Sequence, residues 1–124
     1  MARASGVSTG RVYDPPEPSG APVVLVDRLW PRGLAKAGAP FDRWVKDVAP
    51  SPALRAFYGH RPERFVEFAR RYREELREDP TGAVAELVAL ARSGPVVLLT
   101  ATRDLEHSSA QVLATHLRRR LARR

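Results

Sequence analysis

Two short apolar runs, VVLVD (Val23–Asp27) and PVVLLTA (Pro95–Ala101), constrain the fold of this chain more tightly than any other feature. Each is rich in β-branched residues, nearly continuous instead of alternating, and bounded by turn residues. That is the pattern of a strand covered on both faces in a parallel sheet. Parallel neighbours require a long crossover, and the residues between the runs have the helical period to supply it. Phe41, Trp44, Val45 and Val48 recur at i, i+3, i+4 and i+7 and predict a short helix or helical turn that stops before Ala49-Pro50. Ser51 followed by Pro52 reads as an N-cap and first helical position, and Gly59 is placed to end that segment.

The longest amphipathic run, PERFVEFARRYREELRED (62–79), puts Phe65, Phe68, Ala69, Tyr72 and Leu76 on one stripe. Glu67 with Arg71, Arg70 with Glu74 and Arg71 with Glu75 are spaced for ion pairs on its solvated face. Asp79-Pro80 restarts a helix containing Val84, Leu87, Val88 and Ala91, which Ser93-Gly94 ends. Ser108 or Ser109 caps a last helix with Ala110, Leu113, Ala114, Leu117 and Leu121 on one side. Upstream, a short strand is expected at Arg11–Tyr13, joined to Val23 by the stiff proline-rich turn YDPPEPSGAP (13–22). The expected architecture is one small α/β domain spanning residues 1–124, with a short, mostly parallel sheet flanked by helices. Two or three strands make a thin sheet with an uncovered edge, so a homodimer is a reasonable expectation.

A chain of 124 residues buries roughly two-thirds of its unfolded surface, enough for a genuine core. It has no cysteine, which removes disulfides, thiol nucleophiles and thiolate zinc sites and suits a reducing cytoplasm. No apolar run approaches the roughly 20 residues of a membrane span, and MARASGVSTG lacks the apolar centre of a secretory signal. The formal charge of +7 is concentrated in the basic helix end RRRLARR (118–124), without which it falls to +2. Those cations suit the negative end of a helix dipole, though the same tail could touch an anionic surface.

Three segments, VLVDRLWPRGLAK, APSPALRAFYGHRPERFVEFARRYREEL and GPVVLLTATRDLEHSSAQVLATHL, resemble the YeaO-like family of domains of unknown function (DUF488), from about Arg11 to Leu117. The signature VDRLWPRG is the most specific part. The resemblance implies a small α/β fold and brings no catalytic roles with it. Where the family tends to read leucine-leucine-tyrosine-alanine-alanine-lysine-aspartate, this chain has Leu98-Leu99-Thr100-Ala101-Thr102-Arg103-Asp104, and Ser108 follows His107 where asparagine is frequent. A reaction that needed the tyrosine or asparagine would be lost here. A role limited to binding charge would survive.

Ligands of open parallel sheets occupy the crevice at the carboxyl ends of the strands. Here DRLWPRG leaves the first run and TATRDLEHS the second, so parallel neighbours bring both to the start of the last helix. Unpaired N–H groups near Ser108 and Ser109 favour an anion at that point. Strand alternation places Arg28 and Trp30 together, opposite Asp27, where a guanidinium can stack on an indole and still bind an anion. Pro31 holds Trp30 out of helical geometry and Gly33 lets the chain turn away. Arg28, Trp30, Arg32, Arg103 and Ser108 are therefore the candidate ligand-binding residues, and Asp27, Asp104 and His107 the groups able to move protons. The alternative is a structural network in which these charges neutralise one another and Trp30 is a lid on the core. His60 reads as a loop or capping residue and His116 as a surface residue.

RGLAKAG lacks the spacing of a P-loop, and neither a dinucleotide fingerprint nor a nucleophile elbow occurs. Asp27, Asp104, Glu106 and His107 could hold a cation in principle, but the nearby arginines make that costly, and no metal or cofactor is assigned. The leading reading is an enzyme-like pocket for a small anionic or phosphorylated ligand, with turnover left open. The alternative is a nucleic-acid or protein-binding module that uses the basic tail and the Arg/Trp rim.

Overall fold

β-branched residues at Val23, Val24, Val96 and Val97 favour the extended chain, and the two apolar runs pair side by side. The computed structural model describes residues 6–123; residues 1–5 of the stretch read for a secretory centre, and Arg124 of the basic end, lie outside them. Four strands, β1 (Val7–Arg11), β2 (Val23–Leu25), β3 (Arg43–Trp44) and β4 (Val96–Thr100), form one sheet in the order β1-β4-β2-β3 with every pair parallel. The helices are α1 (Pro52–Tyr58), α2 (Phe65–Glu78), α3 (Ala83–Arg92) and α4 (Ser109–Ala122). The domain is thus a small α/β fold with an all-parallel sheet. Among the described residues no helix is long and apolar enough to cross a membrane.

The two faces of the sheet are covered differently. Val24, Val26, Val96 and Leu98 point into the main core with Phe68, Tyr72, Leu87, Leu113 and Leu117 of the helices. Leu25 and Leu99 point the other way, into a smaller cluster with Val12, Leu34 and Phe41, which come from connecting segments. The proline-rich turn lies against this second face so closely that a Cβ on Gly10 would sit 2.8 Å from the Pro16 ring. Glycine at that position is what lets the turn pack down.

Two expected elements are placed differently. The first strand is Val7–Arg11, not Arg11–Tyr13, because β1 runs in register with the whole of β4, from Val7 opposite Val96 to Arg11 opposite Thr100. The chain then turns back, with the Asp14 N–H donating to the Arg11 carbonyl at 3.1 Å. The stretch Phe41–Val48 is helical only at its end, which stops before Ala49-Pro50 as expected. Its backbone pairs with the open side of β2, the Asp42 N–H donating to the Val23 carbonyl at 2.8 Å and the Val45 N–H to the Leu25 carbonyl at 2.9 Å, before a 3-10 turn at Lys46–Val48. The helical spacing of Phe41 and Trp44 instead serves a shared contact, since both rings meet Trp30 edge-on, at 5.2 and 5.6 Å.

The helix boundaries follow their caps. Ser51 accepts from the Leu54 N–H, Pro52 begins α1, and Gly59 closes it at φ 52°, where only glycine is unstrained. Glu75 does not pair with Arg71 on the solvated face of α2. Its carboxylate accepts from the Ser51 hydroxyl at 2.6 Å and the Ser51 N–H at 2.9 Å, which fixes the start of α1 onto α2. Glu67 takes both Arg70 and Arg71, whose hydrogen bonds lower its carboxyl to about 2. Ser108 caps α4 through the Gln111 N–H. Farther along α4, the Arg118 guanidinium donates twice to the Val7 carbonyl, at 2.6 and 3.1 Å, so this residue of the basic end braces the edge strand.

His116 is a core residue, not a surface one, at 6% exposure, and its Nε2 has no hydrogen-bond partner. Burial lowers its pKa from the ordinary 6.5, and the nearby Arg120, Arg77, Arg119 and Arg123 lower it further. The unfolded chain therefore takes up a proton at this imidazole before the folded one does, and stability falls as pH drops below about 6.5. Urea unfolding at pH 7.5 and pH 5 should show lower stability at pH 5, and His116→Leu should flatten that difference; an unchanged slope in the variant would assign it to other groups.

Candidate functional site

The parallel pairing of β2 with β4, Leu25 opposite Leu99, brings their carboxyl ends to one edge. There the chain leaving β2 meets the chain leaving β4 through a single carboxylate. Asp27 Oδ1 accepts from the Thr100 hydroxyl and Oδ2 from the Ala101 N–H, each at 2.7 Å. Burial raises its pKa, and the two hydrogen bonds, together with the Arg55 charge, oppose that rise. Thr100 is fully buried, and its oxygen also accepts from the Thr102 N–H. Thr100, together with the Ala101 N–H, is thus what anchors Asp27.

The rest of VDRLWPRG divides between the core and a cleft. The Trp30 N–H donates to the Leu34 carbonyl at 2.7 Å, and its ring packs with Phe41 and Trp44, closing the second face of the sheet. Arg28 does not stack on it. β2 ends at Leu25, so strand alternation does not extend to residues 28 and 30; both line one cleft, but the Trp30 ring is taken up by Phe41 and Trp44. Arg28 lines a cleft of about 650 Å³ that lies between the strand exits, α1 and the start of α4. Its Nε is buried without a hydrogen-bond partner.

Six of the eight candidate residues line this cleft: Asp27, Arg28, Trp30, Arg32, His107 and Ser108. Arg103 and Asp104 are exposed and do not line it. Asp104 reaches it indirectly, its carboxylate 2.7 Å from His107 Nδ1, while Phe65 meets the imidazole edge-on at 5.1 Å. The Ser108 hydroxyl is committed, donating to the Leu105 carbonyl at 2.7 Å and capping Gln111. What α4 offers the cleft is instead its first residue, Ser109, whose N–H has no acceptor within the helix. Among the described residues no three histidine, aspartate or glutamate side chains converge as a metal would require.

Sequence reasoning passed over Arg55 and read His60 as a loop or capping residue; both line the cleft, with Tyr58 between them. Arg55 lies one helical turn after the Ser51 cap, so the clamp of Glu75 on Ser51 also orients Arg55. The Tyr58 hydroxyl donates to the His107 carbonyl at 2.6 Å, and its pKa is raised by burial and then by Asp104. His60 follows Gly59 at φ 58°, a strained conformation for a residue with a Cβ. The available signal was the placement of arginine and tyrosine on the capped helix, facing the strand exits.

These partners separate the roles of neighbouring residues. Asp27→Ala leaves a buried hydroxyl and a buried N–H without an acceptor and should cost about 2–4 kcal/mol of stability. Arg28→Met, which keeps the apolar stem and removes a buried donor that has no acceptor, should leave stability unchanged or raise it. Denaturant unfolding of both variants checks the contrast, and equal losses would make Arg28 as structural as Asp27.

Residues 6–124 match a family model described as the inactive DUF488-N3 subclade. An uncharacterized protein of Mycobacterium tuberculosis is 47% identical over 114 residues, 92% of this chain and 95% of its own length. The uncharacterized protein YeaO of Escherichia coli is 38% identical over 109 residues, covering 87% and 93%. A segment of the probable inorganic carbon transporter subunit DabA of Dechloromonas aromatica is 35% identical over 96 residues, 74% of this chain and 9% of that protein. No solved structure matches the chain. Matched along almost its whole length by both a family model and full-length relatives, this chain belongs to the DUF488 family.

Proposed function

We propose that this protein binds a small anion in the cleft at the strand exits, as a binding domain that does not turn its ligand over. The reading is carried by Arg28, a guanidinium in the cleft wall whose buried Nε has no partner. That nitrogen is itself sealed from the cleft, so the acceptor a ligand oxygen supplies is one for the rest of the same guanidinium, which makes no hydrogen bond or ion pair among the described residues. Arg55 adds a second cation to the wall, and among the described residues neither arginine forms an ion pair. Asp27, a carboxylate in the same wall, is held by Thr100 and Ala101 and feels the Arg55 charge without forming an ion pair with it. The first N–H groups of α4 favour negative charge at the same place.

Binding without turnover is supported by the description of the matching subclade as inactive. The loss of the family's usual tyrosine at Thr100 agrees with it. The Asp104–His107 pair keeps the geometry of an oriented imidazole, so the catalytic alternative assigns proton transfer to Asp27, Asp104 and His107. The competing class, a module for nucleic acid or a protein partner, would use the basic helix end. There Arg118 is engaged with Val7.

Thermal-shift and calorimetric titration with inorganic phosphate, sugar phosphates and bicarbonate tests the proposal; bicarbonate enters because of the name of the Dechloromonas relative. At least one anion should raise the melting temperature. Arg28→Met and Arg55→Met should each weaken its binding about tenfold to a hundredfold, the worth of one charge-assisted hydrogen bond. Retained affinity in both variants would overturn the assignment. Binding of a polyanion that falls steeply with salt and is lost in the double variant Arg119→Gln, Arg123→Gln would transfer the function to the tail. Chemical conversion of a bound anion, abolished by His107→Ala and Asp104→Asn, would replace binding with catalysis.

A further inference from the structure

The cleft is much larger than a bare oxyanion needs. Volumes of about 300–1,000 Å³ accommodate organic ligands of drug size, and this one is about 650 Å³. Its cationic wall at Arg28 and Arg55 faces a second kind of lining. Only four large hydrophobic residues are exposed among those described, and two of them, Leu29 at 64% and Tyr13 at 49%, line this cleft. Pro31, Pro50 and Phe68 continue the apolar surface.

Leu29 and Tyr13 are not loose ends of flexible loops. The Tyr13 hydroxyl donates to the Arg32 carbonyl at 2.8 Å, tying the start of the proline-rich turn to the segment that leaves β2. Leu29 is flanked by Arg28 in the cleft wall and by Trp30, whose hydrogen bond to Leu34 fixes that turn. Two apolar side chains are thus held at the rim where packing of the core does not require them. Such a rim gains free energy when a flat apolar group covers it.

Resting on the anion-binding reading above, we infer that the ligand is bipartite: an anionic head held at Arg28 and Arg55, and a planar apolar body lying on Tyr13 and Leu29. The chemical class is an aryl or heteroaryl phosphate or carboxylate rather than an inorganic ion. The head supplies acceptors for the guanidinium groups, and the body fills the volume that a bare anion would leave to water.

Calorimetric titration of the whole protein with inorganic phosphate, phenyl phosphate and phenol tests this. Phenyl phosphate should bind about tenfold or more tightly than inorganic phosphate, and phenol alone should bind far more weakly than either. Leu29→Ser, a change at a solvent-exposed position, should remove most of the phenyl phosphate advantage while leaving inorganic phosphate unaffected. If inorganic phosphate binds and phenyl phosphate is no tighter, or if Leu29→Ser does not reduce the advantage, the bipartite ligand falls while the anion site stands. If neither phosphate binds, the bipartite ligand falls, and the anion site falls with it when sugar phosphates and bicarbonate also fail to bind.

Discussion

One carboxylate holds the working end of this molecule together. Parallel strands diverge once their ladder stops, because no tight turn joins them and each chain departs toward its own connection. Asp27 opposes that divergence with two hydrogen bonds across to β4, one to the Thr100 hydroxyl and one to the Ala101 N–H. The segments carrying Arg28 on one side and His107 on the other are therefore positioned by the same side chain. An aspartate that a motif scan would place among proton-transfer groups is, in this fold, the bracket on which the cleft is assembled.

A second bracket acts from the helical side. Glu75 on α2 satisfies the backbone and hydroxyl of Ser51, so α1 cannot rotate without breaking two hydrogen bonds to a charged acceptor. Arg55 and Tyr58 ride on that helix, and Tyr58 in turn holds the His107 carbonyl. The cleft is thus enclosed by parts fixed independently to a common core. Among the described residues Arg28 and Arg55 in its wall form no side-chain ion pair, although the Arg55 charge acts on Asp27.

Much of the fold was legible because its signals are local. The β-branched runs declared β2 and β4, and the Ser51-Pro52 and Ser108 caps located α1 and α4. The segment Phe41–Val48 misled because its period came from two aromatic residues sharing Trp30 as a neighbour, a tertiary reason that imitates a helical face. His116 misled in the same way, since a polar residue near a basic helix end gives no local sign that the core extends to it. At the site, parallel exits correctly joined Asp27, Arg28 and the start of α4. Arg103 pointed elsewhere, and Arg55 entered from a helix whose orientation is set by Glu75, twenty residues away. Side chains brought in by tertiary docking leave no spacing to read.

The guanidinium of Arg118 on the Val7 carbonyl also bears on how the sheet meets its surroundings. Gly6 and Val12 turn their backbone groups toward β4, so by alternation those of Val7, Thr9 and Arg11 face outward from the edge, and two of the three carbonyls, Val7 and Arg11, have acquired donors. The first is taken by Arg118 and the second by the Asp14 N–H. An incoming chain seeking to add itself as a fifth strand finds the acceptors at both ends of that edge occupied. The sheet's longest border is thereby blunted as a template for aggregation.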